Sequence, residues 1–385
     1  MPRSSALVLW LLGVAQPGSA AVPQTRVTIP MRDGIELAGW LLRPEGPGPF
    51  PTLVYRTPYG AESAIGAYSI FATAPRRGYA VLAVDVRGRY GSAGDFDPYR
   101  QERADGYDTI EWAAAQSWST GRVGTFGLSY PGAVQWLAAI EAPPHLRAMV
   151  PAMTFSRPTS FWYSGGLLDL SWPAWIWLNI APDVRARRGL AGPTTGSAAA
   201  AAWPAVWGDL QGRLPVSDAP ELRDVAPWYF EWLSHPADDQ WWEWADLTSR
   251  YGGVKAAALN LSGWHDDPYG PEGALTNHLG LLAARRADPD PRSFLILGPW
   301  VHGTRGMNDR SAGAKSGERL VGASAGIDYD EEILRFTDRY VRDIENGVDR
   351  APRVRAFVMG ENVWRAGDAW PLAGTRERSL FLHRG

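Results

Sequence analysis

The sequence predicts an α/β fold on a mainly parallel sheet, interrupted by an inserted helical cap. Three observations carry this. Short buried strand runs alternate with helical spacings over residues 25–150. The alternation stops over 151–250, where tryptophans crowd, and it resumes over 251–350. Strands that alternate with helices imply parallel pairing through helical crossovers.

In order, Gln24 to Leu42 alternates apolar residues (Val27, Ile29, then Ile35, Leu37) about Asp33-Gly34, the pattern of a hairpin. Thr52–Tyr55 reads as a short buried strand. Tyr79–Val86 is a continuous apolar run, as expected of a strand covered on both faces. Asp105–Ala115 has helical spacing, Arg122–Phe126 is a strand, Ala133–Ile140 a helix and Ala148–Met153 a strand. Between Phe155 and about Arg250 no buried strand run is evident, and eleven tryptophans fall from Trp162 to Trp244. Pro173, Pro204 and Pro227 are expected to divide this part into short helices, with Gly192–Ala202 as a flexible connection. Ala256–Leu261 and Phe294–Leu297 are the next strands, with a helix near Pro271–Ala284 between them. Tyr329–Ile344 carries Ile333, Phe336, Tyr340 and Ile344 on one helical face. Val354–Met359 and Ser379–Leu382 read as two further strands, the start of a C-terminal β unit over 352–385 that is apparently truncated.

Composition limits the function classes. Of 385 residues, 45% are hydrophobic and 21% charged, which is globular and not disordered. A net charge of −3 offers no basic footprint for nucleic acid. With no cysteine, the chain cannot form a disulfide, a thiolate zinc site or a Cys nucleophile. Residues 1–20 read as an export signal: Arg3, an apolar run Ala6–Ala15, then Gly18-Ser19-Ala20 as the cleavage region. About ten apolar residues fall short of the roughly 20 that span a bilayer, so no integral membrane segment is expected and the mature chain should be secreted or periplasmic.

The chemistry centres on Gly124-Thr125-Phe126-Gly127-Leu128-Ser129-Tyr130-Pro131-Gly132, which follows a strand and opens a helix. That is the setting of a nucleophile elbow, with Ser129 exposed on a tight turn and Gly127 leaving room behind it. The second residue after Ser129 is Pro131, so G-x-S-x-G is half met, but proline suits the first turn of a helix. A serine hydroxyl needs a base, and the base an orienting acid. His302 lies just past the strand Phe294–Leu297, and Asp266 just past Ala256–Leu261. The order Ser129, Asp266, His302 is that of α/β-hydrolases, and all three fall at carboxyl ends of strands, where such sheets bind ligands. Spacing does not separate Asp266 from Asp267. His265 beside them could suggest a metal ligand, but further ligands are lacking, and neither a metal nor a cofactor is expected. The other histidines fit structural roles. The oxyanion hole should take the Tyr130 amide, with a second donor from the loop after Thr52–Tyr55. The Tyr59 hydroxyl can reach there, and spacing alone equally allows a surface tyrosine.

Gly127-Leu128-Ser129-Tyr130-Pro131-Gly132, Gly263-Trp264-His265-Asp266 and Gly298-Pro299-Trp300-Val301-His302 together resemble the CocE/NonD (cocaine esterase-like) group. That group belongs to the family of Xaa-Pro dipeptidyl-peptidases and α-amino acid ester hydrolases. Arg56-Thr57-Pro58-Tyr59, Asp85–Gly94 and Val358–Arg365 extend the match over 25–385. The resemblance implies Ser129 as nucleophile, Asp266 as acid in preference to Asp267, His302 as base, Tyr59 and the Tyr130 amide as oxyanion donors, and the tryptophan-rich insertion as a cap over an acyl pocket. It also implies a C-terminal jelly-roll domain, of which only the first strands, from about Pro352, are present. The expected substrate is a small ester or amide, or a short peptide. A dipeptidyl-peptidase or amino-ester hydrolase would need carboxylates for an α-ammonium, and the cap offers Glu231, Asp238, Asp239 and Glu243. A third possibility is a non-enzymatic binding remnant, against which an intact triad argues.

Overall fold

The computed structural model describes residues 22–157, 161–164, 167–236, 239–244 and 246–381. The export-signal reading therefore lies outside the described residues. The chain before the cap gives β1 (Gln24–Pro30), β2 (Glu36–Leu42), β3 (Phe50–Thr57), β4 (Ala80–Asp85), β5 (Ser119–Leu128) and β6 (Leu146–Ala152). Between them lie α1 (Ala61–Ala67), α2 (Ile70–Arg76), α3 (Glu102–Ala114) and α4 (Tyr130–Ala139). In the cap, β7 (Tyr163–Ser164) and β8 (Leu167–Leu168) pair as a two-stranded ribbon that the sequence did not suggest. After the cap come β9 (Ala257–His265), β10 (Ser293–Val301), the small ribbon β11 (Lys315–Ser316) and β12 (Arg319–Leu320), then β13 (Val354–Val358) and β14 (Val363–Gly367).

Ten strands form one sheet in the order β1-β2-β4-β3-β5-β6-β9-β10-β13-β14. From β4 to β13 every neighbouring pair is parallel. Antiparallel strands close both edges. The alternation of side chains sorts the core into two faces. Leu82 and Val84 of β4, with Val54 and Val123, pack toward Ile110 of α3 and Trp136 of α4. Val81 and Ala83, with Leu53 and Phe126, pack toward Phe71 of α2 and toward Ile333 and Phe336 of the helix Tyr329–Tyr340. Each fully buried Val, Leu or Phe in these layers contributes roughly 1.5–3 kcal/mol.

The cap joins the first of these apolar layers through the loop after β4 and the start of α4. Trp162, Trp172, Trp228, Trp232 and Trp242 are buried in the same apolar cluster as Trp136 and Ile110. Ring centroids of Trp162 and Trp232 lie 4.9 Å apart, and those of Trp228 and Trp232 lie 5.1 Å apart.

Several expectations are corrected. Gly196–Ala202 is not a flexible connection: Gly196–Gln211 is a continuous helix that contains Pro204. Alanine has the highest helix propensity, and the Thr195 hydroxyl caps the start by accepting from the Ala198 amide at 3.2 Å. Ser379–Phe381 forms no strand, and Leu380 and Phe381 are exposed; Leu382 lies outside the described residues. Val354–Val358, read as opening a separate β unit, is hydrogen-bonded in parallel to β10 and extends the core sheet. The helix from Tyr329 stops at Tyr340, so Ile344 is not on its apolar face. In α3 the buried face carries Glu102 and Asp105 beside Ile110 and Ala114. These carboxylates go inward because arginines meet them. Arg56 pairs with Glu102 at 2.7 Å and Arg87 with Asp105 at 2.6 Å.

Candidate active site

Ser129 stands between the last residue of β5 and the first of α4, with φ 70° and ψ −128°. A positive φ is strained for a residue with a side chain, and the surroundings must impose it. They do so through close backbone approach on both sides of the turn. A Cβ on Gly127 would lie 2.5 Å from the Pro131 Cβ, and one on Gly132 would lie 2.5 Å from the Ala152 carbonyl oxygen. The Ser129 amide donates to Ala152 O at 3.0 Å, and its carbonyl accepts from Gly132 and Ala133. Gln135, buried in α4, ties the turn from behind, donating to Gly127 O and Pro131 O and accepting from the Val150 amide.

A carboxylate–histidine pair comes from the ends of β9 and β10. His302 Nδ1 lies 2.6 Å from Asp266 Oδ1, with both side chains nearly buried. The second carboxylate oxygen of Asp266 accepts from the Ser262 hydroxyl at 3.2 Å, and that hydroxyl also reaches the Gly270 carbonyl at 2.9 Å. Burial pushes the Asp266 carboxyl above its usual range, and its bond to His302 opposes that rise. Asp267 is exposed and His265 is exposed, so the geometry separates two neighbours that spacing left equal.

Tyr130 opens α4, where helix geometry provides no intrahelical acceptor for its amide. Its side chain is fully buried and locked. The phenol donates to Glu102 Oε1 at 2.7 Å and accepts from the Tyr99 amide at 3.0 Å. Tyr59 follows β3, and its hydroxyl accepts from Trp175 Nε1 at 3.0 Å and lies near enough to Ser129 for the two side chains to interact. Desolvation raises the Tyr59 phenol well above its ordinary value, so it keeps its proton at neutral pH and remains a donor.

Ser129, His302 and Tyr59 line one cavity of about 590 Å³, roofed by Trp172, Trp175, Trp203 and Trp207 of the cap. All five residues expected from sequence (Ser129, Asp266, His302, Tyr59, Tyr130) are thus brought together. Tyr269 was missed. Its side chain lines the same cavity and interacts with Ser129, it lies beside the His302 ring at 5.6 Å between centroids, and burial raises its phenol to about 12. Its place three residues past Asp266, in the same loop, was the available signal. Trp175 was missed as well, and nothing local in the sequence points to it.

The remaining described histidines have structural partners: His145 with Glu111, His235 with Asp239, and buried His278 with Ser293. His383 lies outside the described residues.

A parallel sheet in this strand order, a strained serine between strand and helix, and an acid–histidine pair at the ends of two later strands define the α/β-hydrolase class. The chain belongs to the X-Pro dipeptidyl-peptidase (S15) family, whose pattern matches residues 33–304. It is 33% identical over 376 residues to the cocaine esterase of Rhodococcus sp. (strain MB1 Bresler), an alignment covering 93% of this chain and 62% of that one. Among solved structures it is similar to an aminopeptidase from a marine sediment Thaumarchaeota archaeon (TM-score 0.68, 22% identity, 94% of this chain and 61% of that one). It is also similar to a CocE/NonD family hydrolase from Staphylococcus aureus (TM-score 0.62, 22% identity, 91% and 57%). The two structures share the fold. The chain spans about three fifths of the length of these relatives.

Proposed function

We propose that the chain is a serine hydrolase that cleaves carboxylic ester, or amide, bonds through an acyl-enzyme. The carrying observation is the Asp266–His302 pair at 2.6 Å, opening on the same cavity as the strained Ser129. His302 takes the Ser129 proton as Oγ attacks the carbonyl carbon. The tetrahedral oxygen is held by the Tyr130 amide and the Tyr59 hydroxyl. Collapse expels the alcohol or amine, which leaves with the proton from His302. Water then repeats the sequence on the acyl-serine and releases the acid. Asp266 keeps Nδ1 protonated throughout and stabilises the imidazolium.

The cavity favours an apolar or aromatic acyl group over an α-ammonium. Its walls are mainly indole and aliphatic. Of the cap carboxylates, Glu231 and Glu243 are exposed and Asp239 is paired with His235; Asp238 lies outside the described residues. The three described ones do not line the cavity, and the one carboxylate on its lining, Asp267 of the core, stands against four indoles. Export to the periplasm or medium completes the proposal, on the strength of residues 1–20, and N-terminal sequencing of the secreted chain tests it.

A fluorophosphonate probe should label Ser129 in the wild type and leave Ser129→Ala unlabelled while its melting temperature is unchanged. Hydrolysis of p-nitrophenyl esters should exceed that of Xaa-Pro-p-nitroanilides. Labelling that persists in Ser129→Ala would move the nucleophile elsewhere.

A further inference from the structure

A phenol that serves an oxyanion must present its proton in one direction. The Tyr59 oxygen sits on the axis of its ring, so ring rotation about that axis does not displace it, but the hydroxyl hydrogen can occupy either of two positions near the ring plane. What neighbours the oxygen decides where that hydrogen points. One neighbour is the Ser129 hydroxyl. Another is Trp175 Nε1, which donates to the Tyr59 oxygen at 3.0 Å. An indole N–H only donates. The Tyr59 proton therefore cannot turn toward Trp175, which frees it for the Ser129 side.

Trp175 is not part of the hydrolase core. It ends the cap helix Ser171–Trp175, and the chain continues as a wide π-helical turn, Ile176–Ile180. Such turns are rare and recur at functional sites. The Trp175 carbonyl accepts from Asn179 Nδ2 at 3.3 Å, and its ring stacks on Tyr130, the other oxyanion residue, with 6.4 Å between centroids.

The backbones that carry Tyr59 and Trp175 are joined by one side chain. Arg89 is fully buried and donates to three carbonyls: Pro58 O at 2.8 Å, Ile180 O at 2.8 Å and Asn179 O at 2.9 Å. Pro58 immediately precedes Tyr59, and the other two carbonyls belong to the turn after Trp175. The same guanidinium pairs with Asp183 of the cap at 3.4 Å. A planar fork with several fixed donors suits this bridging task, which a lysine could not reproduce.

We infer that the cap orients the oxyanion hole, with Trp175 as a positioning residue for the Tyr59 hydroxyl and Arg89 as the brace between the two segments. The inference rests on the hydrolase reading above. As the substrate oxygen becomes negative, the Tyr59 hydrogen bond strengthens and its own oxygen gains charge. The incoming indole N–H stabilises that charge, since linked hydrogen bonds reinforce one another. The contribution exists mainly in the transition state, so it belongs to kcat and not to KM.

A double-mutant cycle on the full chain tests this, with p-nitrophenyl ester turnover and the rate of fluorophosphonate labelling of Ser129 as parallel readouts. Trp175→Phe in the wild-type background should lower kcat and the labelling rate roughly three- to tenfold, the scale of one net hydrogen bond. In a Tyr59→Phe background it should change either by less than about twofold, because the group it orients is gone. Arg89→Lys should show the same dependence on Tyr59, and melting temperatures verify that each variant is folded. Equal losses in both backgrounds, or a loss confined to KM, would reduce Trp175 to a wall of the cavity and overturn the inference alone. A Tyr59→Phe variant with unchanged kcat would overturn the oxyanion reading, and this inference with it.

Discussion

Asp266→Asn is the most informative single change at this site, because the surroundings of Asp266 decide how the amide will sit. In one orientation the amide oxygen stays on His302 Nδ1–H and the NH2 group faces Ser262. Ser262 can accept that bond, since its own proton has a better acceptor in Gly270 O at 2.9 Å than in Asp266 at 3.2 Å. In the other orientation the NH2 faces Nδ1, forces the ring proton to Nε2 and removes the base. The Ser262–Gly270 bond favours the first. The tautomer then survives, and only the charge opposite the imidazolium is lost. Two unit charges about 4 Å apart at an effective dielectric of about 20 interact by about 4 kcal/mol, which corresponds to roughly 10³ in turnover. Adding Ser262→Ala removes the acceptor for the NH2 group, admits the second orientation and should carry the loss toward about 10⁴, the scale of a triad with the wrong tautomer. Ser262→Ala alone should stay within about tenfold. Steady-state kinetics on a p-nitrophenyl ester measures all three. An Asp267→Asn variant more damaged than Asp266→Asn would refute the assignment. Identical losses with and without Ser262 would refute the orientation argument.

Tyr59→Phe removes the proposed oxyanion donor and should cost roughly 2.7–4 kcal/mol in the transition state, read as a fall in kcat at nearly constant KM. Glu102→Gln leaves buried Arg56 without its counter-charge and loosens the Tyr130 phenol, so urea unfolding should show a loss of about 3–5 kcal/mol. His278 is fully buried, with desolvation pushing its imidazole down to about 4 from an ordinary 6.5. Between those values the unfolded chain binds a proton that the folded chain does not, so stability is intact above about pH 6.5 and falls as pH drops toward 4. The loss should reach about 3 kcal/mol, and His278→Gln should flatten it in denaturation curves taken across that window.

The elbow was legible because it is local. Gly127, Ser129, Pro131 and Gly132 lie within six residues, and each is required by the same turn. Asp266 and His302 were legible because a parallel sheet places strand ends together whatever the intervening length, although choosing Asp266 over Asp267 needed the resemblance and then the geometry. Tyr59 was legible as the loop after an early core strand. What escaped depended on packing between distant segments. Trp175 reaches Tyr59 only because the cap folds over the core, and one of eleven cap tryptophans carries no mark of that task. Glu102 and Asp105 turned inward against the polarity rule because Arg56 and Arg87, on other elements, compensate them. Gly196–Ala202 was misread for a different reason. Glycine and proline flanks outweighed an alanine run whose helix preference, with Thr195 as cap, was the stronger local signal.

The crowded cap has an optical consequence. Trp162, Trp172, Trp175, Trp228 and Trp232 sit within 4.9 to 5.9 Å of one another along a chain of ring contacts. At such separations an absorbed ultraviolet photon migrates among the indoles before it is emitted, so the cap fluoresces as a collective antenna. A group bound covalently to Ser129 would lie beside Trp175, one member of that relay, which is a closed circuit. A quenching acyl group there would darken the ensemble and not one ring, which gives acylation and deacylation an intrinsic light signal without any label.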